Sequence, residues 1–303
     1  MSRKKLSNPF STGGGGLLFE AHVQAAFVNL MITGGYAPCF PSKPIVGIKL
    51  QGKVDGYATD DLIVTTEDAS SKVTQRMLGQ VKHSIAFTKR DKLLGEVLQA
   101  AWDDYNNPAV FTQGKDTIAL ITGPLSGVDH KNVRWILEHA RATASSEEFY
   151  RHVKQANFSP AKCEEKLDAI RHHLDAANNG NSLSDEDVFH FLRHFHLLGY
   201  DLDIESSVTR SLLHSHIAQY QKELPVMAWM CVVDFVQKRN KHAASITKSS
   251  IPEDLLEMFK ERIPIEFPKE LSAKTPQSIT DWTNHPDASY IAIALLIGAW
   301  NEK

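Results

Sequence analysis

Two short runs, Thr59-Asp60-Asp61-Leu62-Ile63-Val64 and Leu78-Gly79-Gln80-Val81-Lys82, constrain the fold more than any other part of the chain. Each is an apolar, β-branched stretch bounded by polar or glycine-containing turns, which is the pattern of a short strand. Side chains alternate along a strand, so Gln80 and Lys82 project together while Val81 points into the core. Asp61 stands at the entrance of the neighbouring strand. If the two strands pair, a carboxylate, an amide oxygen and an ammonium converge on one edge of a sheet. That donor set suits a divalent cation with a positive charge beside it, the equipment for hydrolysing a phosphodiester. Asp60 rivals Asp61 as the ligand, because the pattern does not fix where the strand starts. An Asp-Asp pair also serves as a plain polar turn.

The flanking pattern builds a layered α/β unit. Residues 17–32 have helical spacing and are apolar nearly all round, so this helix is expected to be buried on most sides, ending at Gly34-Gly35. Strands are expected at 45–50, 62–66, 75–82 and 117–122, with a helix at 91–105. The order α-β-β-β-α-β predicts a mixed sheet flanked by helices. After Gly123-Pro124 helical spacing dominates, over 128–144, 146–154, 160–177, 185–198, 207–220, 226–238, 252–262 and 289–300. Ser145 with Glu148 and Ser184 with Asp187 have capping-box spacing. This second part is expected to be all-α, and the chain has no phosphate-binding loop of the Gly-x-x-x-x-Gly-Lys-Ser/Thr type.

An acid before one strand, Gln-x-Lys on the next, and the run Gly13-Gly14-Gly15-Gly16-Leu17-Leu18-Phe19-Glu20 together resemble PD-(D/E)xK nucleases of the Mrr-like branch. The similarity is narrower to the double-stranded DNA endonuclease domains of bacterial antiphage proteins, CBASS effectors and antiviral STAND NTPases. It covers roughly residues 10–125. The resemblance implies a restriction-endonuclease-like fold and a Mg²⁺-dependent endodeoxyribonuclease, Mn²⁺ substituting, that cuts double-stranded DNA as a defence effector. Asp61, Gln80 and Glu20 would hold the metal with the backbone carbonyl of Val81, and Lys82 would position the attacking water. Gln24, one turn after Glu20, and Ser84, after the Gln-Val-Lys strand, are second-rank candidates. Gly15 and Gly16 could present N–H groups to a DNA phosphate or be a flexible lead-in; Lys89, Arg90 and Lys92 could touch the DNA backbone or be a solvated helix start. The implied organisation is a tail at 1–12, a nuclease domain at 13–125, and a helical linker or assembly region at 126–303 that continues into a module outside this chain. Cutting both strands needs two sites, which implies a homo-oligomer formed through the helical region or that module.

Composition leaves the substrate open. The chain has 303 residues, 42% hydrophobic and 23% charged, an ordinary globular balance with room for two domains. Through Leu125 it carries 13 Lys plus Arg against 11 Asp plus Glu, which permits nucleic acid without demanding it. Cys39, Cys163 and Cys231 are dispersed, as expected of reduced thiols in a cytoplasmic protein. No leader-like apolar region follows the basic start, and the apolar run 290–300 is too short to span a bilayer, so no membrane is expected. His190 and His194 share a helix face at zinc-ligand spacing but lack an obvious third ligand. Two further readings stand beside the DNase: a catalytically inactive, nuclease-like DNA- or protein-binding module, and an RNase using the same residues.

Overall fold

Gly34 and Gly35 stop the first helix by a backbone device that side-chain-bearing residues rarely adopt. In the computed structural model, which describes residues 14–40, 43–68, 70–204 and 206–260, α1 (Gly15–Thr33) ends with Gly34 at φ 73°. The N–H of Gly35 then reaches back to the Leu30 carbonyl at 2.7 Å. As its pattern predicts, α1 is buried on most sides, with Phe19, Val23, Phe27 and Val28 fully enclosed. Its length and apolarity would also allow it to cross a membrane, but here most of it is covered by protein.

Three antiparallel strands follow: β1 (Ile45–Leu50), β2 (Leu62–Glu67) and β3 (Thr74–Lys82). The helix α2 (Lys92–Tyr105) carries the chain across to β4 (Thr117–Thr122), which lies parallel to β3. A parallel neighbour requires such a crossover. Asp91 starts α2 by accepting the Leu94 N–H at 2.8 Å. Then come α3 (Gly127–Ala142), α4 (Ser146–Lys154), α5 (Cys163–Ala177) and α6 (Asp185–His194), with Ser126, Ser145 and Ser184 as side-chain caps of the first, second and fourth. The strand β5 (Phe195–Gly199), α7 (Val208–Ile217), α8 (Pro225–Asn240), β6 (Ser245–Ile246) and α9 (Glu253–Glu257) complete the described chain.

The expectation of an all-α region after residue 125 is corrected here. Both edges of the six-stranded sheet, ordered β5-β4-β3-β2-β1-β6, come from that region. The predicted helix over 185–198 ends at His194, and Phe195–Gly199 pairs with β4 instead. An apolar run of this length fits either periodicity, and the open edge of β4 decides between them. The Tyr200 N–H extends this pairing to the Thr122 carbonyl at 2.7 Å. The helix expected over 289–300 and the tail at 1–12 lie outside the described residues.

The strands are buried on both faces. Leu62, Val64, Val81 and Ile121 face a core shared with α1 and α8, where Phe19, Phe27 and Trp229 sit. Ile63, Leu78 and Leu120 face the opposite core, built from α2, α3, α5 and α6 around Leu98, Ile136, Leu174 and Phe191. One polar contact between layers sets the approach to β2. Asp104 on α2, 1% exposed, accepts the backbone N–H groups of Ala58 at 2.9 Å and Thr59 at 2.6 Å. Asp104→Ala leaves these donors unmatched, one of them buried, and is expected to cost about 1–3 kcal/mol. Urea denaturation checks this: the midpoint falls with the slope unchanged, whereas an unchanged midpoint would show that the 58–60 turn holds itself.

Candidate functional site

The register places the acid. Leu62 pairs with Gly79, so continuing the antiparallel ladder by one residue sets Asp61 opposite Gln80. Gly79 permits that approach, because a Cβ there would lie 3.1 Å from the Leu62 carbonyl oxygen. Asp61 is 7% exposed, and its Oδ2 collects three donors. Gln80 Nε2 makes a short hydrogen bond to it, the Val81 N–H donates at 2.7 Å, and the Lys82 ammonium stands 3.5 Å away. Asp60 lies beside this group and makes a different contact, its carbonyl accepting the Gly52 N–H at 2.6 Å. Burial, then the Asp61 charge, holds the Asp60 carboxyl above its ordinary value.

Glu20, in the second turn of α1, joins this group through Gln24. The single nitrogen Gln24 Nε2 lies 2.9 Å from Glu20 Oε1 and 2.9 Å from the Asp61 carbonyl oxygen. Gln24 is fully buried, and its Oε1 is a buried acceptor without a partner. Two amides that sequence reasoning did not single out also donate to Glu20 Oε1, Gln51 at 2.8 Å and Asn240 at 3.2 Å. The only hint for Gln51 is a polar residue just after a strand. Asn240, 220 residues from its partner, carries no local signal.

Burial and then the Asp61 charge raise the Glu20 carboxyl above its ordinary value. Two neighbouring acids that repel each other, one restrained by amides at a single oxygen, form a donor set whose repulsion a cation would relieve. With Gln80 as a neutral third donor the residues fit a divalent metal of modest affinity. No cluster of three His, Cys, Asp or Glu is found among the described residues, so the third donor must come from an amide or the backbone.

The other candidates lie around this centre or apart from it. Ser84 is exposed, and its Oγ lies 2.8 Å from His83 Nδ1, while His83 Nε2 lies 2.9 Å from Asp203. Gly14 caps α1 and Gly15 and Gly16 form its first turn, with nothing within 4 Å of a Cβ built on Gly16. Lys89, Arg90 and Lys92 are exposed at the start of α2, and Lys89 stands 3.9 Å from Asp168. His190 and His194 do not converge: His190 pairs with Glu186 at 2.7 Å, and His194 Nε2 accepts the Gly114 N–H at 2.7 Å. A cleft of about 630 Å³ between α3 and β5 is lined by Arg134, Arg141, His196 and Tyr200, and none of the central group borders it.

No family model and no curated protein matches the chain. Among solved structures it is similar to Acinetobacter baumannii Cap4 SAVED/CARF-domain containing receptor with the cyclic trinucleotide 3'3'3'-cAAA, at 11% identity and TM-score 0.44, covering 80% of this chain and 46% of that one. A second structure of that receptor, with 2'3'3'-cAAA, is similar at 10% identity and TM-score 0.44, covering 80% and 44%. The Moraxella osloensis Cap4 receptor is similar at 10% identity and TM-score 0.41, covering 77% and 44%. The chain therefore spans less than half the length of these receptors.

These neighbours are described as receptors, two of them with a cyclic trinucleotide, and not as nucleases on double-stranded DNA. The PD-(D/E)xK family assignment, the double-stranded DNA endonuclease function and the duplex partner are corrected accordingly. The physical reason is that short motifs report local geometry. The glycines lead into a helix, and Asp61 with Gln80-Val81-Lys82 needs only two paired strands. At this level of similarity nothing of the receptors' ligands passes to this chain.

The raised Glu20 carboxyl has a stability consequence with a definite sign. The fold favours its protonated form, so that stabilisation is present in full below the ordinary value of 4.5 and is lost as pH rises through the raised folded value. Glu20→Gln keeps an oxygen for the three amide donors and removes the charge. In metal-free buffer it is expected to melt above the wild type at neutral pH and together with it below about pH 4. Equal melting at both pH values would show that the charge carries no penalty.

Proposed function

We propose that this chain is a Mg²⁺-dependent hydrolase of phosphodiester bonds, with Mn²⁺ able to replace Mg²⁺. The observation that supports it is the junction at Gln24, where one amide nitrogen ties the Glu20 carboxylate to the Asp61 backbone beside the Lys82 ammonium. Asp61 Oδ1 and Glu20 Oε2 accept no hydrogen bond from the described residues, which leaves them as the oxygens to hold the ion, with the Gln80 amide as third donor. Bound there, the ion would polarise a phosphate and lower the pKa of a coordinated water. Lys82 lies at the last position of β3, where its ammonium can orient a water and offset negative charge gathering on the phosphate. The two paired strands hold Lys82 and Asp61 in fixed relation, so little reorganisation is needed during reaction. We place the protein in the cytoplasm, a setting supported by three unpaired cysteines.

The test is a hydrolysis assay with Mg²⁺, Mn²⁺ and EDTA on an activated phosphodiester, single-stranded RNA and cyclic trinucleotides. The last are themselves phosphodiesters. Duplex DNA belongs in the panel as the control for the corrected assignment. Lys82→Ala is expected to lower the catalytic rate about 10²–10³-fold with the melting temperature nearly unchanged. A collapsed fold with lost activity would instead make Lys82 structural.

Gln80→Glu has a second expected outcome. The amide now donates to Asp61; a carboxylate there removes the donor and adds a repelling charge. The variant should melt below wild type without metal and gain more from Mg²⁺ than wild type gains. A Mg²⁺ response equal to wild type would place residue 80 outside the ion's reach.

A further inference from the structure

We propose that Gln51 and Asn240 are positioning residues that, with Gln24, grip Glu20 Oε1 and so present its other oxygen to the metal. This rests on the metal-site reading above and adds residues from two elements outside it. Three amide N–H groups reach one carboxylate oxygen, from Gln24 at 2.9 Å, Gln51 at 2.8 Å and Asn240 at 3.2 Å. Ligand carboxylates are commonly oriented by such outer partners, whose loss weakens metal binding. Convergence on one oxygen fixes the plane of the carboxylate, because a partial turn would weaken all three hydrogen bonds at once.

The backbone at Gln51 is a second observation. Gln51 has φ 49° and ψ 60°, a left-handed conformation that a residue with a side chain adopts at a cost. Glycine would suit that turn better, and Gly52 follows immediately. Glutamine here brings an amide to Glu20, while the N–H of Gly52 holds the Asp60 carbonyl at 2.6 Å. The turn after β1 thus grips both sides of the acid group.

Asn240 has a different origin. It is the last residue of α8, which packs along α1, and the helix end is fastened where Arg239 donates to the Ser250 carbonyl at 3.1 Å. The Asn240 Oδ1 also lies 3.5 Å from Gln24 Nε2, closing the amide group on itself. A residue of the second half therefore reaches the acid on the first helix.

The experiment measures Mn²⁺ binding alone, by calorimetry on the full chain, together with the metal-free melting temperature. Gln51→Gly removes the amide and suits the left-handed turn, and Asn240→Leu keeps the size and loses the donor without adding a charge beside the acids. Each is expected to weaken Mn²⁺ affinity about 10–100-fold, with Gln51→Gly melting at or above wild type. A merely structural role predicts the reverse, a lower melting temperature with unchanged affinity, and that result overturns the proposal. Wild-type affinity in both variants overturns it too while leaving the metal site standing. Absence of any Mn²⁺ binding by the wild type overturns the metal-site reading, and this inference with it.

Discussion

A buried carboxylate at the mouth of β2 organises the centre of this molecule. Leaving an acid such as Asp61 unmatched at 7% exposure would be costly, so the surrounding chain must bring donors to it. It does so from the adjacent strand: a side-chain amide, a backbone N–H and an ammonium from three successive residues, Gln80, Val81 and Lys82. Only the β2–β3 register that sets Leu62 against Gly79 allows this, because a one-residue slip would turn every side chain to the opposite face. The same register keeps Leu62 and Val64 in one core and Ile63 in the other. Charge satisfaction and hydrophobic burial therefore select the same pairing.

Around that pair the structure accepts local penalties. Glu20 sits in partial burial near another acid, which raises its carboxyl, and Gln51 is held in a left-handed backbone conformation. Gln24 leaves an amide oxygen buried without a partner. Such departures are expected where a site is preorganised for a ligand, because the rest of the fold supplies the excess stability that sustains them. Here the supply is the double-sided burial of the sheet and the burial of most of α1 beyond its first turn.

The second half of the chain has a larger part in the architecture than its helical composition suggests. It supplies both edge strands, β5 beside β4 and the two-residue β6 beside β1, so that the sheet's outer pairings are made by the second half of the chain. It also covers α1 with α8, whose Trp229 and Val233 fill the first core. The site is thus held by a sheet whose outer strands and covering helix are far away in sequence.

By itself the sequence determined the local elements and the central acid-and-lysine group. Strands 45–50 and 117–122 and the helix 146–154 have the predicted limits in the structure, because period-two alternation, glycine stops and serine caps act over a few residues. Asp61, Gln80, Val81 and Lys82 could be placed together for the same reason, since two neighbouring strands of a meander pair by default. Only the tertiary structure decided what depends on distant segments. Phe195–Gly199 is a strand because β4 offers an edge, although its apolar spacing also suits the end of a helix. Gln51 and Asn240 became partners of Glu20 because a left-handed turn and the end of α8 meet at one carboxylate oxygen. Neither residue stands out locally: an amide at a strand end or a helix end is ordinary until the fold sets another residue against it. The identity of the ligand was likewise beyond short motifs, which fix which donors share a sheet edge and leave open what they bind.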